Sequence, residues 1–333
     1  MKPVFIIPWL LIGLLSASAC ATVARADPLA GLPPAITEKP TVTLPPSLTP
    51  TPFQPMPPTA TFVPPTKTPA PSHTPTPTAT FTPTSTATWV YTAAGKVTVP
   101  ILLYHHVADV TPANRYYVGV QAFDEQMALL QAWGYTTITP AKLVDVLLNG
   151  RELPARPIII TFDDGNMDVY ENAFPIMQAR GFVGAFYIVA NRLESNGYLH
   201  AEHLQTLVAA GWEIGSHSMS HPDLTQNHDL VRNEILQSRL DLEEACGAAV
   251  TSFAYPLGMT DSYISTKVSE YGYTNGMGLG TASEHTFATL FYLSRREVQS
   301  EFSLTTFAAM LPWTDPLPSP TASPTPTVST PSP

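Results

Sequence analysis

The sequence predicts an α/β fold on a parallel sheet, most simply a barrel, and three observations lead there. Across roughly residues 95–315, short aliphatic runs alternate with amphipathic segments of helical spacing. One run, "PIIITF" (157–162), is continuously apolar and bounded by proline, as a strand covered on both faces must be. Most of the 36 prolines lie outside this region, so its elements are left uninterrupted.

Read in order, the chain opens with Lys2, an apolar stretch from Val4 to Leu15 too short to span a bilayer, and small residues, which is the pattern of an export signal over 1–26. Cleavage after "ASA" or after "ARA" fits equally. "SASAC" also resembles a bacterial lipobox, with Ala17 where a larger aliphatic is usual, in which acylated Cys20 would tether the protein to the membrane; simple secretion is the alternative. Residues 27–94 are dominated by Pro, Thr, Ser and Ala, and the pattern returns over 316–333. Neither tract has the apolar periodicity to bury a core, so both are expected to be disordered, the first as a stalk and the second as a tail. The domain therefore spans 95–315.

Within it, "VPILLYHHV" (99–107) reads as a strand. "AFDEQMALLQAWG" (122–134) places Phe123, Met127, Leu130 and Trp133 on one helical face and stops at glycine. After the 157–162 strand come a helix in "YENAFPIMQARG", a strand in "FVGAFYIV", a helix in "HAEHLQTLVAAG" and a strand in "WEIGSHS". A long helix in "DLVRNEILQSRLDLEEACG" precedes strands in "VTSFAYPLG" and "YTNGMGLG", with "ISTKVSEYG" a helix between those two. In such a layout the chemistry belongs at the C-terminal strand ends.

The formal net charge of −10 argues against nucleic acid or an anionic surface as partner. Cys20 and Cys246 are the only cysteines, so the domain has no internal disulfide and must rest on its core. The sequence does not indicate an oligomeric state.

Asp163 and Asp164 close the 157–162 strand. Adjacent anions repel, so a loop gains from the pair only if a cation or a proton transfer uses it. His217 and His221, in "GSHSMSH", lie four residues apart at another strand end. One carboxylate with these two imidazoles makes a facial set with open positions, suited to Zn²⁺ or another divalent transition metal, and leaves one aspartate for proton transfer. His105, with His106 beside it, ends an earlier strand. His105 is the choice for a general acid, because histidine titrates near neutrality, and strand capping is the alternative for both. His200 and His203 flank a helix start, where capping explains them, and Trp212, Tyr271 and Tyr273 read as core.

"TFDDG", "GWEIGSHSMSHPDL" and "SFAYPLG" together resemble the polysaccharide deacetylase family, the NodB-homology domains of carbohydrate esterase family 4. The "YHHV" strand lying before "TFDDG" resembles its permuted branch, which includes poly-N-acetylglucosamine deacetylases. The resemblance implies a distorted (β/α)7 TIM-like barrel, hydrolysis of N-acetyl groups on an extracellular or cell-wall polysaccharide, and a divalent metal, Zn²⁺ first and Co²⁺ or Ni²⁺ as substitutes. It implies Asp163 as general base, and Asp164, His217 and His221 as metal ligands. An arginine usual in the third motif is missing from Ala254-Tyr255-Pro256-Leu257. Arg295, in "YLSRREV", occupies a position like one seen in the permuted branch and is expected to replace it, while the Leu257 N–H is expected to serve the oxyanion. The late Leu-x-x-x-His motif is absent, consistent with His105 as the acid. O-deacetylation of acetylated xylan, and an inactive wall-associated carbohydrate-binding domain, are the alternatives.

Overall fold

A computed structural model describes residues 87–317. The export signal, Cys20, most of the stalk and the end of the tail lie outside the described residues. Among the described residues no helix is long and apolar enough to cross a membrane.

Strands β1 (Trp89–Thr92), β2 (Lys96–Thr98), β3 (Ile101–Tyr104), β4 (His106–Val107) and β5 (Tyr117–Val118) precede helix α1 (Val120–Ala132). There follow β6 (Thr136–Thr137), α2 (Pro140–Asn149), β7 (Arg151–Pro154), β8 (Pro157–Phe162), α3 (Phe174–Gln178), β9 (Ala185–Ile188), α4 (Ala201–Ala209) and β10 (Glu213–Ser216). The remainder is α5 (Ser238–Cys246), β11 (Ser252–Ala254), α6 (Ser262–Glu270), β12 (Asn275–Met277), β13 (Glu284–Thr286), β14 (Arg296–Glu297) and α7 (Leu304–Ala308).

The main sheet runs β12-β11-β10-β9-β8-β3-β14, all pairs parallel, with β6 also against β8. Residues 290–295, just before β14, bond back to β12: Leu293 N–H donates to Gly276 O at 2.7 Å and Gly278 N–H to Leu293 O at 2.8 Å. The segment that ends as a neighbour of β3 thus begins as a neighbour of β12, and the sheet closes into a distorted parallel barrel.

Strand residues alternate faces, which separates two cores. Ile101, Ile159, Ala185, Tyr187, Ala254, Met277 and Leu293 pack together inside the barrel. Leu102, Ile158, Ile160, Phe162, Phe186, Ile214 and Phe253 pack outward under the helices, against Phe123, Met127 and Leu130 of α1. Asp163 follows Ile159 and Thr161 in the inward register, and Arg295 follows Leu293. The alternation that buries the apolar residues therefore aims both charges into the barrel mouth.

Four expectations need correction. The folded backbone starts at Trp89 rather than 95, because the β-prone run "WVYT" pairs antiparallel with β7. The long helix near 229–247 is a 3₁₀ turn at His228–Leu230 and a π turn at Arg232–Gln237 running into α5. There Ser238 Oγ donates to the carbonyls of Glu234 and Ile235, a contact that bends helices. The helix in "YENAFPIMQARG" likewise begins as a π turn, Val169–Ala173, where Pro175 removes a backbone donor. Finally, the strand read over 99–107 breaks at His105, between β3 and β4.

Candidate active site

A cleft of about 490 Å³ opens at the C-terminal ends of the barrel strands, and Asp163, Asp164, His217, His221, Arg295 and His105 all border it. Leu257 and His106 lie on its walls.

Asp163 is 2 % exposed and Arg295 1 %. The guanidinium grips the carboxylate at both oxygens, Nη1 to Oδ1 at 2.6 Å and Nη2 to Oδ2 at 2.8 Å. Arg295 Nε donates to Gly278 O, and its Cζ lies 5.3 Å from the centre of the Tyr187 ring, so the fork is fixed from behind. Burial by itself pushes the Asp163 carboxyl up, but the charges of Arg295 and His217 outweigh it and hold the group at about 2.

The next residue turns away. Asp164 has φ 76° and Gly165 φ 88°, and a Cβ at Gly165 would both strain that backbone and crowd Ile188 Cγ2 at 3.2 Å, which favours glycine there. This reversal lets two adjacent carboxylates face different partners. Asp164 Oδ1 accepts from Arg192 Nη1 at 3.0 Å and lies 3.9 Å from His221 Nε2. His217 Nδ1 bonds the Ala254 carbonyl at 2.9 Å; as that oxygen only accepts, Nδ1 carries the proton and Nε2 offers a lone pair to the cleft. Burial pushes the His217 pKa down, against the upward pull of Asp163. Donor atoms of Asp164, His217 and His221 all come within 4.8 Å of one another. One carboxylate and two imidazoles, one with its tautomer already fixed, suit a divalent transition metal.

The His217–His221 loop is held by residues that sequence reasoning missed. Ser220 donates through N–H and Oγ to the carboxylate of Glu234, which is buried, and His221 N–H donates to Ser218 Oγ. Ser218, His221 and Leu257 join Asp164 in the left-handed region, at φ 67°, 64° and 59°. Such backbone strain, gathered around one cleft, marks a functional site.

His105 Nδ1 lies 4.0 Å from Glu297 Oε1, and Arg115 and Gln299 hold Glu297 through its other oxygen. His106 instead bonds Asp168 Oδ2 at 2.6 Å and stacks on Tyr117. The two histidines are thus separated by their partners, and neither Glu297 nor Asp168 carried a signal beyond being charged. A second group, His200, Glu202 and His203, also has donor atoms within 4.8 Å. There His203 Nδ1 accepts the His200 N–H at 3.0 Å, which is the expected helix cap and occupies the lone pair a metal would need.

A closed parallel barrel whose strand ends gather acid, imidazole and guanidinium groups in one cleft has the layout of a barrel enzyme. Residues 150–276 match the polysaccharide deacetylase family model. The Bacillus subtilis (strain 168) protein YxkH, which carries the same family name, is 23% identical over 226 residues, 68% of this chain and 80% of its own. The Escherichia coli (strain K12) poly-beta-1,6-N-acetyl-D-glucosamine N-deacetylase is 35% identical over 77 residues, 23% of this chain and only 12% of that protein. Among solved structures, the Streptococcus pyogenes deacetylase PplD in complex with acetate superposes with a TM-score of 0.59 at 23% identity, over 65% of this chain and 98% of that one. Residues 150–276 thus carry a polysaccharide deacetylase domain.

Proposed function

We propose that this polysaccharide deacetylase is a metal-dependent hydrolase that removes N-acetyl groups from an extracellular or cell-wall glycan of N-acetylglucosamine type. The observation that carries the reading is the division between two adjacent aspartates: Asp163 is clamped by Arg295, while Asp164 turns to His217 and His221. The Escherichia coli relative, a poly-beta-1,6-N-acetyl-D-glucosamine N-deacetylase, supports the N-acetyl sugar, and the leader-like segment 1–26, with Cys20 as a lipid tether, supports a location outside the cytoplasm.

Asp164, His217 and His221 would hold the cation. When bound, Zn²⁺, or Co²⁺ or Ni²⁺ in its place, supplies a Lewis acid that polarises the acyl carbonyl and lowers the pKa of water. Asp163 takes the proton from the attacking water. Its clamp by Arg295 keeps it an anion near neutrality, in the state able to accept that proton. Arg295 fixes its orientation, supplying the positive charge that the third motif lacks. The Leu257 N–H donates to the oxyanion that develops at the acyl carbon, a contribution of about 3–4 kcal/mol where such donors are well placed. His105 gives its proton to the departing amine nitrogen, and Glu297 faces the imidazolium from 4.0 Å. Acetate and a free amino sugar result.

Acetate release is the test, measured on chitooligosaccharides, poly-β-1,6-N-acetylglucosamine, peptidoglycan and acetylxylan, with chelator and with Zn²⁺ or Co²⁺ restored. Chelation should abolish release from the amide substrates and added metal should restore it. Release from acetylxylan alone would assign the site to ester chemistry.

A further inference from the structure

The cleft does not end at the reacting groups. Asn114 and Tyr117 also border a second hollow of about 520 Å³, whose other walls are Val110, Pro112 and Ala113. The two concavities therefore share one partition, in the segment between β4 and β5.

That partition is of mixed polarity and held by local contacts. Tyr117 pairs with His106 across β4 and β5, and the His106 ring lies parallel to it at 3.8 Å and 5°, covering one face. His106 is itself pinned by Asp168 at 2.6 Å. Asn114 Oδ1 accepts the Tyr116 N–H and its backbone carbonyl accepts the Tyr117 N–H. Among the described residues the Asn114 Nδ2 donates to no other group. A fixed aromatic ring with an amide donor beside it is the chemistry that receives a pyranose: the C–H face of the sugar lies on the ring and a hydroxyl takes the donor.

We propose that Tyr117 and Asn114 form a binding subsite for the sugar next to the one deacetylated, so that the enzyme reads at least two consecutive residues of its polymer. The inference rests on the deacetylase reading of the cleft. It uses none of the residues assigned to the chemistry.

The experiment compares wild type with Tyr117→Ala, Tyr117→Phe and Asn114→Ala. Acetate release and equilibrium affinity are measured on monomeric N-acetylglucosamine and on its β-1,4 and β-1,6 pentamers. Tyr117→Ala should weaken pentamer binding, and lower kcat/KM on pentamers, by about tenfold, leaving the monomer unchanged. Tyr117→Phe, which keeps the ring, should match wild type, and Asn114→Ala should show a smaller loss confined to pentamers. Unchanged pentamer affinity in Tyr117→Ala, or equal losses on monomer and pentamer, would overturn the subsite. If wild type releases no acetate yet Tyr117→Ala still weakens pentamer binding, the subsite stands and the deacetylase reading falls.

Discussion

At the scale of single residues, the proposed function depends on two neighbouring carboxylates with different duties. Asp163→Asn should keep metal content and lose turnover by ~10²–10⁴-fold, the range of a lost proton-transfer group; a variant as active as wild type would show the base to be elsewhere. Arg295→Met should destabilise the fold by about 3–5 kcal/mol in urea unfolding, because it leaves a buried carboxylate without its partner. Metal affinity should fall on acidification, since ligation needs neutral imidazole. Burial depresses the His217 pKa, so that group remains neutral in the fold below the ordinary value of 6.5. Its contribution to stability is complete above that value and is lost as pH falls through the lower folded one. A metal titration across pH 4–8 checks this, with the acid loss expected below ~6.5. The residues themselves were legible: Asp163, Asp164, His217 and His221 sit at strand ends in recognisable motifs. Arg295 was legible only through the resemblance, and Glu297 and Glu234 were not, because their partners lie 192 and 14 positions away and no local pattern announces a contact made by folding.

At the scale of elements, the barrel strands show how far periodicity reads and where it stops. Pro157–Phe162 was plain from its apolar run, whereas β14 has only two residues and its charged sequence, Arg296-Glu297, resembles no buried strand. Helix α2 escaped the sequence reading although its signals are local: Thr139 caps it, Pro140 opens it and Gly150 ends it at φ 63°. Glu213, at the start of β10, accepts the Ala141 N–H of that helix at 2.8 Å, while its Oε1 is buried without a partner. Burial pushes the Glu213 carboxyl up to about 7, against the hydrogen bond from Ala141. Between 4.5 and about 7 the folded form binds more protons than the unfolded one, so stability falls as pH rises through that window. Glu213→Gln should therefore stabilise above pH 7 by on the order of 2 kcal/mol and flatten the pH dependence of Tm. An equal Tm for both proteins at pH 8 would contradict it. Gly215, two residues further along β10, has its missing Cβ position filled by the Tyr187 ring. Gly215→Ala should cost about 1–3 kcal/mol through overpacking, read as a lower Tm.

At the scale of the whole molecule, a closed parallel barrel positions groups drawn from five stretches of sequence at one mouth: His105, the 163–164 pair, the 217–221 loop, Leu257 and Arg295. Alternation along the strands decides which of them point inward, which is why the fold class was readable from repeated strand and helix patterns. Closure was not readable, because residues 290–295 pair with β12 while lacking regular strand character. The central claim is that one aspartate binds metal and its neighbour does not. Anomalous diffraction from crystals loaded with Co²⁺ tests it most directly. A single peak within about 2.0–2.2 Å of Asp164, His217 and His221, with Asp163 still paired to Arg295, is the expected result. A peak bonded to Asp163, or none among these four side chains, would contradict it.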